Sequence, residues 1–92
     1  MVSNAVSSNL SHFAYILKCS DGTFYTGYTN DLVKRLDVHN QGKGAKYTRV
    51  RLPVSLVASW SFETKSEAMK KEYFIKTLTR QAKEALIRDC AI

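Results

Sequence analysis

Apolar and polar positions fall into a readable order along the chain. Residues 13–19, FAYILKC, make an apolar and aromatic run of strand length. Asp21-Gly22 in SDGT gives a turn signal, and FYTGYT, residues 24–29, reads as the returning strand of a hairpin. Asn30 stands where a helix N-cap belongs, with Asp31 in the first turn. Leu32, Val33 and Leu36 then form the apolar face of that helix, and Arg35 and His39 lie one turn apart along its border. QGKGAKYTRVRLP follows as a loop with room for a short helical turn. From Val54 to Glu63 the pattern alternates, with Val54, Leu56, Ala58, Trp60 and Phe62 on one face and mostly serine on the other. That predicts a third strand buried on one side. Ser66 is expected to cap a helix over about residues 67–77, and Thr79 a last helix, RQAKEALIRDC. The order ββα-βαα describes an α+β domain: a small, mostly antiparallel three-stranded sheet flanked by helices. Residues 1–11 read as a flexible polar tail and 12–92 as a single domain.

Composition narrows the class. A chain of 92 residues, 45% of them hydrophobic, suits one domain with one modest core and argues against global disorder. No apolar run approaches the ~20 residues that span a bilayer. The start, MVSNAVSSNLSH, lacks the basic and apolar regions of a signal peptide, so a cytoplasmic protein is expected, a monomer being assumed rather than read from the sequence. Cys19 and Cys90 are too far apart for a zinc motif and too few for a disulfide framework, which fits a reducing compartment.

Charge changes the picture more. The net charge is +6 and the pI about 9.5, favouring an anionic partner, nucleic acid first and an acidic membrane surface second. Lys43, Lys46, Arg49 and Arg51 crowd the loop, and no acid occurs from Val38 through Phe62. GKGAK lacks the spacing of a phosphate loop.

Glu72 is the anomaly of the helical part, because it falls between Ala68, Met69 and Ile75 inside the apolar stripe. A carboxylate there is costly unless it is paired or binds a metal. A Glu at the core edge paired with a Lys or Arg is the plain alternative. Arg35 and His39 carry the same ambiguity, since an i,i+4 pair is often only a solvated face. With Glu72 they would supply a phosphate-binding guanidinium, a titratable ring and a metal-binding carboxylate, parts that phosphodiester hydrolysis needs. Tyr15, Tyr25, Tyr28 and Tyr47 are first of all packing residues, while Gly27 within a strand leaves room for a close approach.

FAYILKCSDGTFYTGYTNDLVKRLDVH resembles the core of the GIY-YIG nuclease superfamily. FAY, residues 13–15, stands in place of GIY, and YTG, residues 25–27, in place of YIG. GKGAKYTR and EYFIKTLTRQAKEALI are similar to the small stand-alone, YhbQ-like branch. The glycine and isoleucine of GIY and the isoleucine of YIG are replaced, whereas the tyrosines and the glycine of YIG are kept. The resemblance implies a metal-dependent endonuclease using Mg²⁺ or Mn²⁺ held by Glu72. Tyr15 and Tyr25 would line the site, one serving as general base or positioning the nucleophile. Arg35 would hold the scissile phosphate, and His39 would assist proton transfer. Lys43, Lys46 and Arg49 would track the nucleic-acid backbone, Tyr47 would stack on a base, and Gly27 and Thr29 would support the site. A free tyrosine titrates near pH ~10, so it would need the cation, Arg35 or Lys18 beside it.

Register tests this scheme. A two-residue turn on Asp21-Gly22 would pair Tyr15 with Tyr28 and put Tyr15 and Tyr25 on opposite faces. A loop over Asp21–Thr23 pairs Cys19 with Tyr25 and puts both tyrosines, Gly27 and Thr29 on one face, which is the expected arrangement. The expected substrate is DNA rather than RNA, single-stranded or branched, with no membrane partner. The alternatives are a nucleic-acid-binding module that keeps the fold without cleaving and acts with a partner, and a purely structural interaction domain.

Overall fold

The computed structural model describes residues 10–90, so the expected tail falls, but for its last two residues, outside the described part. Strands β1 (His12–Lys18), β2 (Phe24–Thr29) and β3 (Ser55–Phe62) form one antiparallel sheet in the order β2-β1-β3. The helices are α1 (Leu32–Asn40), the four-residue α2 (Lys46–Arg49), α3 (Lys65–Lys76) and α4 (Arg80–Cys90). The fold is therefore α+β as expected, with α2 as the helical turn within the basic loop. No helix among the described residues is long and apolar enough to cross a membrane.

The hairpin is set by its turn. Gly22 takes φ +86, where a side chain would be strained. The Asp21 carboxylate accepts from the Thr23 amide at 3.1 Å, the Thr23 hydroxyl at 2.6 Å and Arg51 Nε at 3.1 Å. The Cys19 amide donates to the Thr23 carbonyl at 2.8 Å, and Leu17 pairs with Tyr25. The register is thus two residues from the expected Cys19–Tyr25 pairing. A shift of two keeps every side chain on its face, so Tyr15, Tyr25, Gly27 and Thr29 do share one side of the sheet.

Both faces of β1 are buried, which its unbroken apolar run requires. Tyr15, Leu17 and Cys19 pack with Val54, Leu36, Leu52 and Leu56 on one side. Ile16 packs with Ala58, Ile75, Trp60, Leu86 and Ile87 on the other. The apolar residues of β3 do not share one face as expected. Ile16 pairs with Ala58 but Leu17 with Leu56, so Val57 is an extra residue in a bulge. That bulge sends Val54 and Leu56 to the Leu17 side and Ala58 and Trp60 to the Ile16 side.

Three local expectations are corrected. Asp31, not Asn30, caps α1: its carboxylate accepts from the Lys34 amide at 3.1 Å and adds a negative charge at the helix N-terminus. Val33 is 82% exposed, and the inward stripe is Leu32, Leu36 and His39 at i, i+4 and i+7, so the histidine occupies an apolar position. Thr64, not Ser66, caps α3 by accepting from the Glu67 amide at 3.1 Å. The pattern Thr64-x-x-Glu67 is a capping-box sequence that outranks the isolated serine. Thr79 does cap α4, accepting from the Ala82 amide at 3.2 Å.

Candidate active site

Tyr15 sits in the middle of β1 opposite Gly27 on β2. The gap left by Gly27 is filled by the tyrosine itself: a Cβ there would come within 2.5 Å of the Tyr15 hydroxyl oxygen and 2.6 Å of its Cζ. The ring is only 3% exposed, and its hydroxyl lies 3.1 Å from His39 Nε2.

His39, at 1% exposure, is held from three directions. Its Nδ1 is 2.9 Å from Thr48 Oγ1, and the Thr48 hydroxyl donates to the Ala45 carbonyl at 3.2 Å. With the single hydroxyl proton spent on Ala45, Thr48 must accept from His39 Nδ1–H. Nε2 then carries the lone pair and accepts from the Tyr15 hydroxyl. Gly44 presses on the third side, where a Cβ would overlap the imidazole ring. Sequence reasoning missed both Thr48 and Gly44. Its one available signal was a glycine in GKGAK left without a role once a phosphate loop had been rejected.

Tyr25 contributes the opposite wall. Its ring centroid is 5.3 Å from that of His39 at 61°, and it stacks on Tyr47 at 6.3 Å and 21°. Arg51 completes this stack: its guanidinium is 3.9 Å from the Tyr47 centroid while it donates to the Tyr47 carbonyl at 2.8 Å and to Asp21. One face of Tyr47 is therefore already covered.

Tyr15, Tyr25, Gly27, Arg35, His39 and Glu72 line one cavity of about 260 Å³, with Tyr28, Gly44 and Met69. Five stretches of chain thus meet: β1, β2, α1, the loop at Gly44 and α3. Arg35 makes no ion pair among the described residues, which leaves its guanidinium available to an incoming anion. Glu72 is 15% exposed, and its Oε2 receives Lys76 Nζ at 3.2 Å from one turn along α3. Thr29 supports the site from beside it, accepting from the Asp31 amide at 3.0 Å and so anchoring the start of α1. Lys43, Lys46 and Arg49 are exposed on the loop and α2 but do not line this cavity. Lys18 lies in a separate cavity with Arg80 and Arg88, so it cannot act on the tyrosines as expected.

Electrostatics fix the resting protonation. Burial, reinforced by Tyr25 and Glu72, pushes the Tyr15 phenol well above its ordinary range, with Arg35 opposing. Tyr15 therefore rests as a proton donor. Burial first, and the Arg35 charge second, lower the His39 pKa below 6.5, so the ring rests neutral. An NMR titration of His39 is expected to give a midpoint below 6.5, and Arg35→Gln should raise it. The unfolded chain takes up this proton near pH ~6.5 while the folded one does not, so the stability carried by neutral His39 is complete above that pH and falls below it. Thermal melts of wild type and His39→Gln should therefore converge as the pH is lowered.

A metal must be judged against the donors present. Among the described residues, no three of His, Cys, Asp and Glu gather into a cage. Glu72 is the one carboxylate on the cavity wall. A single carboxylate fits Mg²⁺ or Mn²⁺, which keep waters and share substrate phosphate oxygens, and does not fit a preformed calcium or zinc site.

Comparison with known proteins places the chain and its fold in one family. Residues 11–85 match the GIY-YIG catalytic domain family. A UPF0213 protein of Staphylococcus aureus is 61% identical over 79 residues, spanning 86% of this chain and 96% of that protein. The solution NMR structure of a UPF0213 protein from Bacillus halodurans superposes with a TM-score of 0.56 at 55% identity, covering 84% of this chain and 82% of the other. An NMR structure of a protein from E. faecalis gives a TM-score of 0.55 at 48% identity, covering 83% and 82%.

Proposed function

This chain belongs to the GIY-YIG family, in its small stand-alone branch, and on that premise we propose that it is a metal-dependent endonuclease cleaving phosphodiester bonds in DNA. The observation that carries the reading is the convergence of Arg35, Glu72 and the Tyr15–His39 pair on one cavity. Arg35 binds the scissile phosphate and meets the charge that grows on its oxygens as the nucleophile adds. A water attacks phosphorus and passes a proton to the Tyr15 oxygen while Tyr15 passes its own to His39 Nε2. Tyr15 never has to exist as a free phenolate, which its burial disfavours. The phosphorus–oxygen bond to the leaving strand end then breaks, solvent gives a proton to that oxygen, and His39 releases its extra proton to solvent and returns to its neutral state. Glu72 would hold Mg²⁺ or Mn²⁺, which when bound supplies Lewis-acid stabilisation to the phosphate and leaving group. Tyr25 walls the imidazole and excludes water from its second face.

A second reading is a binding module of the same family that does not cleave by itself. It is favoured by the Lys76 ammonium already seated on Glu72. Labelled single-stranded, duplex and forked DNA incubated with Mg²⁺, Mn²⁺ or chelator separates the two, with Arg35→Ala as the control. Cleavage that needs metal and Arg35 is expected. Binding without cleavage by wild type under every condition would leave the module as the better reading.

A further inference from the structure

The catalytic cavity does not end at Tyr25. The same tyrosine walls a neighbouring cavity of about 250 Å³, completed by Phe24, Thr26, Tyr47, Lys76 and Lys83. Phe24 in turn walls a third cavity of about 260 Å³, reached by Lys18, Arg80 and Arg88. Phe24 and Tyr25 are consecutive on β2, the edge strand of the sheet, and point to opposite faces. The three cavities therefore follow one another around the sheet edge, from the catalytic side to the groove where α4 meets the sheet.

The chemistry along this path is uniform. The only acid lining the two outer cavities is Glu84, which is occupied by Arg80 Nε at 3.1 Å. Arg80 also donates to the Gly22 carbonyl at 3.0 Å and holds its guanidinium 4.7 Å from the Phe24 centroid, giving a fixed cation–aromatic platform. Lys18, Lys83 and Arg88 make no ion pair among the described residues. Cations spaced along a groove, with flat aromatic groups between them, suit a single strand, whose phosphates need charge and whose bases need stacking surfaces. A rigid duplex could not turn round the edge of so small a sheet.

We propose that an unpaired arm of the nucleic-acid substrate leaves the catalytic cavity across Tyr25, passes Phe24, and lies along α4 with its phosphates on Lys83 and Arg88. This rests on the nucleic-acid reading of the cavity and adds the direction in which the substrate runs. It also gives the C-terminal helix, to which the sequence assigned no function, a place in substrate choice. The basic loop with Lys43 and Lys46 is then left to contact the paired part.

The test is fluorescence anisotropy in chelator, so that cleavage plays no part. The probes are a blunt duplex and the same duplex with an unpaired arm of about eight nucleotides on either strand, within the range one small domain covers. Lys83→Gln/Arg88→Gln is compared with Lys43→Gln/Lys46→Gln, which removes the same charge. The helix pair is expected to lower the salt slope on one armed DNA by about 1.4, ~0.7 for each single-strand phosphate contact, and to leave the blunt duplex unchanged. The loop pair should weaken both DNAs alike. Lys83→Arg/Arg88→Lys should restore the slope, which damage to the helix would not allow. Equal losses on blunt and armed DNA, or no loss from the helix pair, would overturn the track while leaving the active site standing. A wild-type protein that binds none of these DNAs would overturn both.

Discussion

Glu72→Gln is expected to lower metal-dependent cleavage by about 10²- to 10³-fold, the loss of roughly 3–4 kcal/mol of transition-state stabilisation. Its melting temperature should stay close to that of wild type. The two effects separate because the carboxylate does little for the fold. Its one ion-pair partner, Lys76, is 53% exposed and lies one turn away on the same helix, a geometry worth about 0.3–0.5 kcal/mol. The amide keeps the size and shape of the carboxylate, so no cavity opens. What it loses is the formal charge, the one such charge that the cavity wall offers a hard cation. Paramagnetic broadening by Mn²⁺ reads this without turnover: resonances near residue 72 should broaden in wild type and not in the variant. A destabilised variant, or one with unchanged broadening, would mean that Glu72 is a packing residue whose charge serves only Lys76.

Elements were legible in the sequence wherever one physical signal spoke alone. The apolar run of β1, the Asp21-Gly22 turn and the Thr79 cap each required little beyond their own neighbours. The β3 face was misjudged because alternation cannot reveal a bulge. Val57 shifts the register by one, and both faces of the sheet accept apolar side chains, so nothing in the pattern signals the switch. The first helix was misread for a related reason. Histidine counts as polar in a periodicity argument, yet His39 takes the inward position at i+7 from Leu32, while Val33 faces solvent. Its burial is possible only because Tyr15 and Thr48 satisfy both ring nitrogens, and those partners are 24 and 9 residues away. The resemblance to a family named the tyrosines, the arginine and the carboxylate. It did not name Thr48 and Gly44, which hold the histidine from its other sides.

Gly44 is the clearest of these, and Gly44→Ala should therefore be among the most damaging small substitutions in the protein. Its backbone conformation is open to any residue, so the cost is steric: the new methyl would occupy the space of the His39 ring, reaching 2.6 Å from Cγ and 2.7 Å from Cε1. The ring is 1% exposed and cannot step aside without leaving both Tyr15 and Thr48. Overpacking of this kind costs about 1–3 kcal/mol, and unpaired buried polar groups cost a similar amount. Cleavage should fall about 10²-fold or more, the usual contribution of a positioned proton acceptor. Either loss alone could come from general damage to the loop, so the deciding measurement is a double-mutant cycle with His39→Ala. If Gly44 acts through the ring, removing the ring empties the space that the methyl needs. Gly44→Ala is then expected to be strongly destabilising beside His39 and close to neutral beside Ala at position 39, with a coupling of about 1–3 kcal/mol. Cleavage by the double variant should be no lower than that of His39→Ala. Additive losses would show instead that Gly44 serves the loop backbone, and the imidazole would have to be held by Tyr15 and Thr48 alone.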